Sequence, residues 1–69
     1  MPTLDERLLA AHEAGNQAAL VRLYAEAADD AKTVDAACFF LTQAYVYGLE
    51  LAHPEVPALF DRLRAQGRV

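Results

Sequence analysis

Capping and helix-breaking residues cut this chain into four stretches, each of helical length, and leave nothing over for a sheet. Thr3-Leu4-Asp5-Glu6 has the form of a capping box. In that motif the Thr3 side chain accepts from the Glu6 amide and the Glu6 side chain reaches back to the Thr3 amide. Gly15 stops the first helix, because glycine enters the left-handed region without steric cost. Asn16 then caps the second. Asp29 and Asp30 would sit badly against the negative end of a helix, which predicts an end near Ala28. Thr33 caps the third helix, with Asp35 well placed in its first turn. Pro54 and Pro57 bar continuation much beyond Ala52. A fourth helix starts between those prolines and ends at Gly67.

Apolar residues recur within each stretch at helical spacing. Leu4, Leu8 and Ala11 share a face of the first helix; Leu20, Leu23, Tyr24 and Ala27 share one on the second. Arg22 and Glu26 stand at i, i+4 on the opposite side, an expected weak pair. The third stretch presents Val34, Ala37, Cys38, Leu41, Ala44, Tyr45 and Gly48 inward, and the fourth Val56, Leu59, Phe60 and Leu63. No sustained alternation and no Asn-Gly or Asp-Gly turn argues for strands. Fifteen alanines let helix axes approach closely. The predicted fold is all-α: four helices in two antiparallel hairpins, at about 3–29 and 33–67, forming a single domain.

At 69 residues the chain is short. A domain this size buries only about 60% of its unfolded surface. Cys38 is the only cysteine, so no disulfide can form within the chain. Helix packing or self-association must supply the stability.

The two hairpins also resemble a known repeat. Gly15-Asn16-Gln17-Ala18-Ala19-Leu20-Val21-Arg22-Leu23-Tyr24-Ala25-Glu26-Ala27-Ala28 is similar to the second helix of a tetratricopeptide repeat. Ala37-Cys38-Phe39-Phe40-Leu41-Thr42-Gln43-Ala44-Tyr45 looks like the first helix of the next unit. Ala44-Tyr45-Val46-Tyr47-Gly48, with the extra residues Leu49 to His53 before Ala58-Leu59-Phe60, is similar to the longer-turned Sel1-like variant. The architecture is thus either a repeat of the tetratricopeptide or Sel1-like type or a small four-helix arrangement. The resemblance implies that the first helix of each hairpin lines a concave side. Here that would be Ala36, Phe39, Gln43, Val46 and Tyr47, together with Asp5, Leu9, His12 and Glu13.

Residues 38 to 48, CFFLTQAYVYG, hold four of the six aromatic side chains. On a helical wheel Tyr45 falls with Cys38 and Leu41, the expected core. Phe39, Thr42 and Val46 lie on another side, and Phe40, Gln43 and Tyr47 form a strip beside them. One hairpin partner cannot cover every side of such a helix. Exposed aromatic patches mark partner sites. The candidate partner-binding residues are Phe39, Phe40, Gln43, Val46, Tyr47, Leu9 and His12.

Other classes of function find little support. The net charge is −4, which repels a phosphate backbone. Arg62, Arg64 and Arg68 are expected to complement the end of the last helix. The opening Met-Pro-Thr-Leu-Asp-Glu is not the basic, then apolar, start of a signal peptide, and Ala36 to Ala52 falls short of a membrane span. The expected location is cytoplasmic. HExxH, CxxC, phosphate-loop and GxSxG motifs are all missing from the sequence. His12 and His53 have no metal-ligand spacing, and Cys38 reads as a small buried hydrophobe. The expectation is a non-catalytic interaction module with no cofactor and no metal. Its partner would be a protein or peptide, with neither nucleic acid nor membrane involved. The alternative is a helical homodimer with no separate ligand.

Overall fold

The structure is a computed structural model that describes residues 2–69; Met1, the first residue of the segment read for a targeting signal, lies outside it. The chain forms four helices and, among the described residues, no strand: α1 (Leu4–Ala14), α2 (Gln17–Asp30), α3 (Val34–Leu51) and α4 (Val56–Ala65).

The caps act where the sequence places them. The Glu6 amide donates to Thr3 Oγ1 at 3.1 Å, the Ala19 amide to Asn16 Oδ1 at 3.1 Å, and the Ala36 amide to Thr33 Oγ1 at 3.1 Å. Of the capping box only the Thr3 half is present among the described residues. Gly15 takes φ 64° and closes α1. The end of α3 falls on Ala52, at φ 52°. A Cβ in that region crowds the following carbonyl and costs about 1–2 kcal/mol.

Three differences from the sequence reading have physical causes. α2 runs two residues beyond Ala28 because Asp29 accepts from Arg62 of α4 at 2.6 Å. That cation offsets the unfavourable end of the α2 dipole. Glu26 pairs with Arg7 of α1, through two bonds of 3.0 and 3.1 Å, instead of with Arg22. A bidentate fork across two helices holds the carboxylate better than a flexible neighbour on the same helix. Val34, expected inside, is exposed in the first turn of α3. The C-terminal arginines also do more than face a helix end: Arg62 reaches Asp29 and Arg68 reaches Asp35.

Neighbours in sequence pack against each other, α2 on α3 most extensively, then α3 on α4 and α1 on α2. Contacts show each pair to be antiparallel. Arg7 meets Glu26 while His12 meets Tyr24. Gln17 meets Glu50 while Tyr24 meets Tyr47. Tyr45 meets Phe60 while Asp35 meets Arg68. The central cluster joins Val21 and Ala28 of α2, Cys38, Leu41 and Ala44 of α3, and Leu59 and Leu63 of α4. A smaller one joins Ala11 to Leu20 and Leu23. Gly48 lets α4 begin close to α3: a Cβ there would stand 2.8 Å from Val56 Cγ2.

The shape decides how α3 is covered. The Cα trace measures 33 × 28 × 13 Å. Packed helix axes stand about 8–10 Å apart, so 13 Å has no room for a layer on both sides of α3. One side of that helix must face out.

Candidate functional site

Two rows of α3 are apolar, and they meet opposite fates. Cys38, Leu41, Ala44 and Gly48 are buried, with Ala44 fully so. On the other side Phe39 keeps 59% of its surface exposed, Val46 46% and Leu49 53%. Thr42 lies between them. Its hydroxyl donates to the Cys38 carbonyl at 2.8 Å, the back-bond that lets a threonine sit in a helix with its polar group satisfied. The only polar member of the outward row therefore needs no external partner.

Beside this row runs a chain of aromatic rings that crosses three helices. Phe39 meets Phe40 edge to face at 5.5 Å. Phe40 stacks toward Tyr24 of α2 at 6.3 Å, and Tyr24 stacks on Tyr47 at 5.9 Å with the ring planes 10° apart. His12 of α1 approaches Tyr24 and Tyr47 edge-on, at 5.9 and 6.1 Å. A hydrogen bond of 2.9 Å joins His12 Nε2 to the Tyr24 hydroxyl. Burial raises the Tyr24 pKa above its ordinary 10.0, and the neighbouring Tyr47 phenol adds to the effect. The phenol therefore stays neutral through the physiological range.

The candidate residues thus divide. Phe40, Gln43 and Tyr47 are half-buried, and Phe40 and Tyr47 pack against the central cluster. Phe39 and Val46 are exposed on α3, Leu9 is 60% exposed on α1, and His12 is exposed but tied to Tyr24. Tyr47 and His12 bring α3 and α1 together, as a shared surface of the two hairpins requires; Asp5 and Glu13 are exposed on α1.

Two members of the surface escaped the sequence reading. Leu49 follows Val46 by three residues and Phe39 by ten, a spacing that was visible. The period of α2 places Tyr24 only on that helix's own apolar stripe. Only the antiparallel register of α2 and α3 shows that it bridges Phe40 and Tyr47.

Polar chemistry is sparse. Cys38 is a buried free thiol, and among the described residues the side chains of the two histidines make one hydrogen bond each, His12 with the Tyr24 phenol and His53 Nδ1 from the Glu55 amide at 3.0 Å. Among the described residues no three His, Cys, Asp or Glu side chains stand together as a metal site, and no helix is long and apolar enough to cross a membrane. The arrangement is suited to one physical act, the removal of an apolar row from water. In comparison with known proteins, no family model, no curated protein and no solved structure matches this chain.

Proposed function

We propose that this chain is a non-catalytic protein-interaction module that docks a protein partner on the outward row of α3. The observation that carries the reading is the exposure of Phe39, Val46 and Leu49 along one side of a single helix. Full burial of such a side chain from full exposure contributes about 1.5–3 kcal/mol, and with about half of its surface still exposed each would add roughly half of that on docking. The half-buried Phe40, Gln43 and Tyr47 border that row, an apolar centre with a more polar edge. Phe39 is the expected hot spot, being the large aromatic with most surface left to bury. The two-hairpin architecture fits the tetratricopeptide-like or Sel1-like reading of the sequence, in which one helix of each hairpin faces a partner. A cytoplasmic setting is consistent with the acidic composition and the unpaired Cys38.

The test is a double variant, Phe39→Ser with Val46→Ser. Neither side chain belongs to the core clusters, so the fold should persist by circular dichroism. The immobilised wild-type chain should retain a partner, its own chain included, that the double variant does not. Equal retention by folded wild type and folded variant would refute the docking row.

A further inference from the structure

Residues 66–69, which follow α4, are held to the rest of the molecule in two different ways. Gly67 takes φ 70° and turns the chain back. Its amide donates to the Arg64 carbonyl at 2.9 Å, and the Arg68 amide donates to the Leu63 carbonyl at 3.0 Å. This is how a glycine-terminated helix closes, and it fixes the segment to α4. Its hydrogen-bonded tie to α3, among the described residues, is the Arg68 guanidinium, which donates to the Asp35 carboxylate. Gln66, Gly67, Arg68 and Val69 are all exposed, and none belongs to a core cluster.

This clasp borders the chain's one thiol. A hollow of about 350 Å³ is lined by Asp35, Cys38, Phe39, Thr42 and Arg68, so both halves of the clasp share it with Cys38. A second hollow, of about 210 Å³, lies between the start of α3 and the end of α4 and also touches Cys38, with Arg62, Ala65 and Gln66 on its α4 side. Each is far larger than the roughly 10–15 Å³ that admits one water. Yet Cys38 is only 3% exposed and carries no disulfide. Room for a small reagent thus stands beside a side chain that is nearly closed off.

We infer that residues 66–69 form a latch: the Arg68–Asp35 clasp holds the end of α4 against the start of α3 and keeps Cys38 shut, and its release opens the thiol while the helices stay packed. The inference does not rest on the docking reading. The clasp is suited to opening because water reaches both partners, the Arg68 side chain being 43% exposed and that of Asp35 87%. Exposed ion pairs are weak and are screened by salt. The apolar cluster of Cys38, Leu41, Leu59 and Leu63 beneath it has no such sensitivity. Release is therefore a local event, separate from global unfolding.

Iodoacetamide labelling reads the latch. The Cys38 sulfur displaces iodide; a carbon–sulfur bond forms as the carbon–iodine bond breaks, and the thiol proton passes to buffer. Arg68→Gln and Asp35→Asn should each speed labelling about two- to fivefold, the range that loss of an exposed ion pair spans. Salt at about 1 M, where screening acts within about 3 Å, should speed wild type to a similar extent and leave both variants unchanged. The two substitutions alter local charge in opposite directions. A rate governed by charge beside the sulfur, and not by access, would rise in one variant and fall in the other, and that split overturns the latch. Unchanged rates in both variants overturn it as well. Wild type in urea supplies a check that needs no variant to fold. Labelling through the latch stays nearly flat below the unfolding transition, whereas labelling that climbs with global unfolding from the first addition of urea overturns the inference.

Discussion

The two sides of α3 are both greasy, yet only one is core. Inside, Leu41 and Cys38 are each 3% exposed and sit between α2 and α4. Outside, Phe39 and Leu49 remain more than half exposed on the same helix. Composition does not separate the rows, and neither does helix propensity. What separates them is the supply of neighbours: α2 and α4 flank α3, while α1 packs on α2. A helix apolar all round belongs to a larger core or to an assembly. Here the second row is the exposed apolar surface on which the proposed docking rests.

That contrast predicts unequal costs for similar substitutions. Leu41→Ala should be the most damaging, at about 2–5 kcal/mol, since it opens a cavity at the meeting of three helices. A domain of this size has roughly 3–10 kcal/mol in all, from about 0.05–0.15 kcal/mol per residue. Urea denaturation should therefore show a midpoint lowered by a large fraction of the wild-type value. If Leu41→Ala is harmless, the inner row is not the core.

Gly48→Ala comes next. The added Cβ would meet Val56 Cγ2 at 2.8 Å, and a stiff β-branched neighbour does not yield easily. Overpacking costs about 1–3 kcal/mol, against about 1 kcal/mol of improved helix propensity. A net loss of about 1 kcal/mol in the same assay is expected. A gain would mean that the approach of α4 to α3 is looser than this packing requires.

High pH tests the ring chain that joins the inner core to the outer row. The folded state holds the Tyr24 proton more firmly than the unfolded chain does. A raised pKa contributes stability that is fully present below the unfolded value and is lost as pH rises through the folded one. Thermal melts should therefore show wild type losing stability above pH 10 relative to Tyr24→Phe. Parallel pH profiles for the two would remove the burial of that phenol. The smallest effect is expected at Ala52, whose φ of 52° suits glycine. Ala52→Gly should stabilise by no more than about 1 kcal/mol, the strain relieved less the added freedom of the unfolded chain.

How much of this the sequence carries depends on the range of the interaction. Thr3, Gly15, Asn16, Thr33 and the two prolines act within a few residues of themselves, and each helix begins within about a residue of where they place it. The end of α2 differs from the one its own residues predict because Arg62, more than thirty positions away, stabilises Asp29. Glu26 went to Arg7 for the same reason. Val34 shares a period with the buried row, but lies in the first turn of α3, and period alone says nothing about where the covering helices stop. For the site, the surplus apolar surface of α3 was legible from the wheel. The half-burial of Phe40 and Tyr47 was not, because it comes from Tyr24 and His12 on two other helices.

The central claim is that the Phe39 row contributes nothing to the monomer's core. Its most direct test is the urea stability of the Phe39→Ser, Val46→Ser variant at low micromolar concentration. Exposed substitutions cost within about 0.5 kcal/mol each, so the account predicts a total loss of at most about 1 kcal/mol with an unchanged denaturant slope. A loss of about 3 kcal/mol or more would show that the row is packed inside a single chain, and would contradict the account.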